Sequence, residues 1–173
     1  MAEATIRRLI RDVPDFPKPG ILFKDITPLL ADPAALAEVT DALAAPFRGQ
    51  GIERVLGIES RGFIFGTPVA RALGCGFAPI RKPGKLPWRT VTESYALEYG
   101  EDRIELHEDA VAPGQRVVVI DDLLATGGTL TAACKLVERL GGVVAGCGVV
   151  IELGFLDGRA RLGGRPVTSL VRY

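Results

Sequence analysis

The chain has 173 residues, 47% hydrophobic and 24% charged, which suits one compact domain with its own core. Its 21 basic and 21 acidic side chains cancel, so no global field recommends nucleic acid or an anionic membrane, and any pull on a polyanionic ligand must be local. The apolar runs fall short of the ~20 residues a bilayer requires, and MAEATIRRLIRDV has no apolar signal core; the expectation is a cytoplasmic protein without membrane or nucleic-acid partners.

Ile6, Leu9, Ile10 and Val13 have helical spacing, and Pro14, Pro17 and Pro19 end the pattern, predicting a short N-terminal helix and then an extended segment. Asp32-Pro33 is a helix-start signal, and Leu36, Val39, Leu43 and Phe47 give the following helix one apolar face. Val55 to Ile58 reads as a strand, Phe63 to Leu73 as a helix ending at Gly74, and Phe77 to Ile80 as another strand. The alternation then stops. Lys82 to Trp88 is rich in Pro and Gly, and Ser94 to Tyr99 and Arg103 to His107 alternate around Gly100-Glu101-Asp102, the pattern of a β-hairpin. An excursion this long inside a compact domain is usually either functional or disordered, and the hairpin pattern argues against disorder; a mobile lid over about 82–110 is the expectation.

Val117 to Leu130, VVVIDDLLATGGTL, is the most informative stretch. Val117 to Ile120 is a β-branched run of the kind covered on both faces of a parallel sheet, and Asp121 and Asp122 follow it. Ligands of open α/β sheets bind outside the carboxyl ends of the strands. From Ala125 to Thr129 the glycines allow successive backbone N–H groups to face an anion, Thr126 and Thr129 add hydroxyls, and a helix from about Leu130 adds its positive end. Carboxylates that accept from sugar hydroxyls thus stand beside a cradle that donates to phosphate, a combination suited to a ribose 5-phosphate. The helix to Leu140 and a strand from Val143 to Ile151 complete a right-handed βαβ succession and a mainly parallel, twisted α/β sheet flanked by helices.

Other chemistries find little support. There is no GxxxxGK[ST], since Gly84-Lys85 is followed by Leu86, and no GxGxxG follows a strand. Cys75, Cys134 and Cys147 lack CxxC spacing and read as small core residues; the single histidine, His107, reads as a solvated strand residue, which leaves no zinc cluster or Ser-His-Asp triad.

Asp121 to Thr129, DDLLATGGT, resembles the phosphoribosyl diphosphate motif of type I phosphoribosyltransferases in the form found in the adenine-using members. Phe16 to Leu30 (FPKPGILFKDITPLL), Glu59 to Gly66 (ESRGFIFG), Arg81 to Leu86 (RKPGKL) and Ser94 to Gly100 (SYALEYG) occur in that family's order and spacing. The resemblance runs from about Phe16 to beyond Glu152. It implies one phosphoribosyltransferase domain over 1–173, with an N-terminal base-binding hood over 1–32, and transfer of the 5-phosphoribosyl group from 5-phospho-α-D-ribose 1-diphosphate to adenine, giving AMP and diphosphate in purine salvage.

The resemblance also implies roles. Asp121 and Asp122 take the ribose hydroxyls and reach Mg2+ through its waters rather than as certain direct ligands, since magnesium keeps several waters and prefers substrate oxygens. Ala125, Thr126, Gly127, Gly128 and Thr129 hold the 5-phosphate. Arg61 offers its planar fork to diphosphate, joined by Arg81 and Lys85, in their own subunit or in a neighbouring one, since members are typically homodimers. A non-proline cis peptide falls at Glu59-Ser60. Glu98 is the candidate acid-base carboxylate near the purine, with Tyr99 beside it in the lid. Leu22 and Lys24 offer main-chain groups to the purine edge, and Phe23 and Leu156 cover its faces. Ala125 stands where oxopurine-using relatives place an acid, which favours adenine. The residues alone leave simpler readings open: Glu98 as a solvent-facing hairpin residue, Arg81 to Lys85 as a solvated basic loop, Glu59 and Arg61 as a surface salt bridge, and Phe23 as core. A non-catalytic regulator that kept the phosphoribosyl site, and a transferase for oxopurines or orotate, are the competing readings. Such regulators usually carry a DNA-binding segment, for which this neutral chain has no room.

Overall fold

The computed structural model describes residues 3–96 and 100–173. In chain order the elements are α1 (Glu3–Arg8), β1 (Arg11–Pro14), β2 (Leu22–Asp25), α2 (Thr27–Ala31), α3 (Pro33–Ala44), β3 (Arg54–Ile58), α4 (Arg61–Leu73), β4 (Gly76–Ile80), β5 (Thr90–Ala96), β6 (Glu101–His107), β7 (Arg116–Leu124), α5 (Gly128–Arg139), β8 (Val143–Glu152) and β9 (Val167–Arg172). Five strands form one parallel sheet in the order β4-β3-β7-β8-β9. From β3 the chain proceeds outward to β4, and from β7 it proceeds the other way through β8 to β9. The strand order therefore reverses between β3 and β7, and their carboxyl ends border the crevice where such sheets bind ligands.

Strand β7 is central because its side chains are apolar on both faces. Val117 and Val119 enter one core with Leu130, Leu136 and Val137 of α5, whereas Val118 and Ile120 enter a second core with Leu43 of α3 and Phe65 and Val69 of α4. Alternation with period two thus feeds two cores from one uninterrupted apolar run. Local signals set the helix ends. The Asp32 carboxylate accepts from Ala34 N at 2.9 Å and Ala35 N at 3.0 Å with Pro33 at the first helical position, and α4 stops at Gly74, whose φ of 71° a side chain would oppose.

Three sequence expectations are corrected. Helix α1 ends at Arg8, and Val13 lies instead in β1, which pairs antiparallel with β2 in register Val13 to Phe23; strand pairing outweighs four residues of helical periodicity. Strand β7 extends to Leu124, so the acidic pair lies within its last turn of pleat, where β8 still pairs with it. Helix α5 begins at Gly128, earlier than Leu130. The C-terminal segment, which carried no expectation, forms edge strand β9.

The expected hairpin is present as β5 and β6, but β5 starts at Thr90 rather than Ser94, and Glu101 and Asp102, expected in the turn, pair with Ala96 and Tyr95. Its base is part of the α5-side core through Ile104 and Leu106, and Arg81 and Glu105 exchange backbone hydrogen bonds of 3.0 and 2.7 Å across it. Among the described residues, no helix is long and apolar enough to cross a membrane.

Candidate active site

The β7 to α5 loop is built by backbone geometry. Gly127 adopts φ 82° at the start of α5, and no side chain caps that helix, so its first N–H groups are left to an outside acceptor, as at anion-binding helix N-termini. The opposite wall comes from β3 and α4. A Cβ on Gly62 would lie 2.8 Å from Ile120 O and 3.1 Å from Asp121 Oδ1. Only glycine lets the first turn of α4 press on β7 at that point, and this contact sets Arg61 beside the acids.

Between these walls lies a cavity of about 360 Å³, lined by residues of the Ile58–Arg61 turn, by Asp121 to Leu130, and by Lys82, Tyr95 and Ile104. The Glu59-Ser60 peptide that enters α4 is cis. Asp122, 5% exposed, pairs with Arg61 Nε at 2.9 Å, and Asp121 Oδ1 accepts from Asp122 N at 2.8 Å. Burial first, and then the neighbouring Asp122 charge, push the Asp121 carboxyl well above the usual range. Burial also raises Asp122, against the pull of the Arg61 guanidinium. The pair is thus short of positive partners, and more hydroxyl donors or cations would stabilise its ionised form.

Glu59 faces the basic loop after β4. It accepts from Lys85 Nζ, from Lys82 N at 2.9 Å and from Arg81 at 3.4 Å. Burial alone would raise its carboxyl, but these donors outweigh it and hold the pKa at about 2. Lys82 Nζ turns into the cavity, where it bonds Tyr95 Oη at 3.0 Å and the Asp102 carboxylate.

On the other side of Arg61 stands β2. The Arg61 guanidinium carbon lies 5.1 Å from the Phe23 ring centre, and Phe16 packs edge-on against that ring at 5.1 Å. The cavity and the aromatic pair are therefore joined through one arginine.

A phosphoribosyl transferase domain model matches residues 25–163. An adenine phosphoribosyltransferase of Myxococcus xanthus is 56% identical over 170 residues, 98% of this chain and 92% of its own length. The crystal structure of adenine phosphoribosyltransferase from Thermoanaerobacter pseudethanolicus superposes with a TM-score of 0.96 at 51% identity, covering 99% of this chain and 100% of that one. The Saccharomyces cerevisiae enzyme, complexed with an imino-altritol bisphosphate and adenine, superposes with a TM-score of 0.92 at 40% identity over 97% of each chain. The chain belongs to the adenine phosphoribosyltransferase family.

Within that family framework, the structure gathers Arg61, Asp121, Asp122, Ala125, Thr126, Gly127, Gly128 and Thr129 around one cavity. Arg81 and Lys85 stand just outside it, turned onto Glu59; Glu59 and Arg61 thus have separate partners rather than each other. Phe23 of β2 reaches the cavity residue Arg61 with its ring, Leu22 is half exposed on the same strand, and Lys24 Nζ pairs with Asp12 at 2.6 Å and lies 3.7 Å from the Tyr173 ring centre. Leu156 is partly exposed in the turn after β8. Glu98 and Tyr99 lie outside the described residues. Lys82 and Tyr95 are cavity residues to which the sequence reading gave no role; Lys82 was one of three loop cations, and only the fold shows which one turns inward.

Among the described residues, no three His, Cys, Asp or Glu side chains converge as a metal site. The oxygen donors of Asp121 and Asp122 fit a magnesium ion held mostly by substrate oxygens and water.

Proposed function

We infer that the chain transfers the 5-phosphoribosyl group of phosphoribosyl diphosphate to adenine, giving AMP and diphosphate. The C1–O bond to diphosphate breaks, a purine nitrogen bonds to C1, and positive charge builds on the ribose as negative charge leaves with diphosphate. One observation carries this reading: an acid pair, with Asp122 buried, and an uncapped, glycine-started helix line the same cavity with Arg61.

In this reading Asp121 and Asp122 accept from the ribose hydroxyls and face the developing cation, while the Ala125 to Thr129 backbone and the hydroxyls of Thr126 and Thr129 hold the 5-phosphate. Arg61 donates to diphosphate, and Arg81 and Lys85 exchange Glu59 for it. Lys82 adds a further cation. Magnesium, when bound, would neutralise charge on diphosphate, with Asp121 and Asp122 holding it through water. Phe23 stacks on adenine, the main chain of Leu22 and Lys24 pairs with its edge, Leu156 covers it, and Glu98 manages the purine proton. The protein acts as a cytoplasmic homodimer, consistent with exposed Ile64 and Trp88.

Adenine is the base because this loop carries Ala125, leaving main-chain groups to read the purine. A buried polar group without a partner costs ~1 to 3 kcal/mol, and accumulated mismatches discriminate strongly. The kcat/KM for adenine should exceed that for hypoxanthine or guanine by at least roughly a hundredfold. Assays offering adenine, hypoxanthine, guanine and orotate separately test this. Comparable rates with an oxopurine would overturn the base assignment and leave the phosphoribosyl site standing.

A further inference from the structure

Behind the phosphate loop, and outside its motif, runs the turn segment Gly154 to Leu162 that follows β8. Gly158 of this segment meets the loop backbone to backbone. A Cβ on Gly158 would lie 2.1 Å from Ala125 O and 2.9 Å from Gly127 N, and a Cβ on Gly127 would lie 2.3 Å from Gly158 O. Gly158 does not have a positive φ, so its need for glycine comes from this approach alone.

The segment is held against the loop from three sides. Arg159 sets its fork on the buried Glu152 carboxylate, Nε to Oε1 at 3.1 Å and the terminal nitrogen to Oε2 at 2.5 Å, and also donates to Val167 O at 2.8 Å and Ser169 Oγ at 3.2 Å. Ser169 Oγ closes the network by donating to Glu152 at 2.6 Å. Thr131 of α5 donates to Arg161 O at 3.2 Å, and Leu162 is fully buried in the α5-side core. A carboxylate so enclosed and a bidentate guanidinium make a rigid anchor. The anchor fixes Gly158, and Gly158 blocks the loop from relaxing backward.

We propose that Gly158, clamped by the Glu152–Arg159 pair, is a positioning residue for the 5-phosphate site: it holds the Ala125 to Thr129 amides in the conformation that binds the anion. The inference rests on the phosphoribosyl reading of this cavity and adds a determinant outside the loop. The diphosphate side, built by Arg61 and the loop after β4, has no contact with Gly158 among those described, so the two subsites should separate.

The experiment is titration of the full-length protein with ribose 5-phosphate and, separately, with inorganic diphosphate, each with magnesium. Gly158→Ala should weaken ribose 5-phosphate binding about tenfold or more while diphosphate binding changes less than about twofold. A second variant carries Arg159→Ala with Glu152→Gln, so that no buried charge is orphaned; it should weaken ribose 5-phosphate about threefold with diphosphate again unmoved. If Gly158→Ala does not fold, the double variant decides. Unchanged ribose 5-phosphate affinity, or equal weakening for both ligands, overturns the positioning role. A wild-type protein that binds no ribose 5-phosphate would instead overturn the phosphoribosyl reading itself.

Discussion

The two halves of the proposed substrate site are built in different ways. The phosphate and ribose half grows from β7, the central strand of the sheet, and is shaped by backbone approach: Gly127 starts the helix, Gly62 meets β7 and Gly158 backs the loop. The proposed base half stands on β2, one strand of a separate two-stranded antiparallel pair, and would offer an aromatic ring and main-chain groups. Charge explains the difference. A phosphate and a developing ribose cation require fixed dipoles and carboxylates that do not reorganise, whereas a flat neutral base needs a face to stack on and an edge to pair with.

That contrast can be broken first at Arg61 and Asp122, the pair between the two halves. Asp122→Asn and Arg61→Ala should each lower kcat/KM on the order of 10² or more, because they remove contacts that tighten as charge separates. Thermal melts run beside steady-state rates check this; near-native activity in either variant would sink that residue's role, and loss of folding would make it structural. A smaller effect is expected on the base side. Phe23→Ala should raise KM for adenine roughly tenfold, the scale of one base-aromatic stack, with phosphoribosyl diphosphate affinity unmoved. If both substrates weaken together, Phe23 serves the hood rather than the purine.

The hairpin sharpens the comparison further, because Ile104 and Leu106 of β6 belong to the α5-side core while Tyr95 of β5 lines the cavity. Amides of Thr90 to Ala96 should gain hydrogen-exchange protection when both substrates are present, as expected of a cover that excludes water from a glycosyl cation. Those around Ile104 and Leu106 should be protected in either state. Equal protection of Thr90 to Ala96 with and without ligand would remove the cover proposal.

The smallest effect concerns acid stability. Glu59 ionises near pH 2 in the folded protein against 4.5 ordinarily. Its folded pKa is depressed, so its contribution is fully present above about 4.5 and is lost as pH falls through about 2. The raised carboxyls of Asp121 and Asp122 act in the opposite sense, and comparison with Glu59→Gln cancels them. Denaturant unfolding at pH 6, 4 and 3 should show wild type losing more of its stability than Glu59→Gln over that interval. Parallel losses would mean that the Lys85, Lys82 and Arg81 contacts contribute nothing to folding.

How far the molecule could be read from its residues follows from the range of the interactions. Strand β7 was legible because four consecutive β-branched side chains leave no solvent face, and the acid pair and glycine turn because both lie in one continuous stretch. Strand β9 was not: VTSLVR mixes polar and apolar residues at a sheet edge, and its pairing with β8 is set by the turn segment before it. The helical spacing of Ile6 to Val13 misled because β2, ten residues on, offers β1 a partner. Lys82, Arg81 and Lys85 were visible as a basic cluster, yet their division between cavity and Glu59 depends on a carboxylate at the end of β3. Gly158 gave no signal, since its constraint is contact with a distant backbone.

Because β7 contributes alternate side chains to both cores, it forms a party wall between the two helical layers. Loosening of either layer reaches the wall, and the acids mounted on its end have no private support. Heat should therefore abolish ribose 5-phosphate binding and melt the domain at a common temperature, with no interval in which the sheet is folded and the ribose-binding half is lost. Strands β1 and β2, which share neither face of that wall, are free to fray earlier without silencing the ribose-binding half.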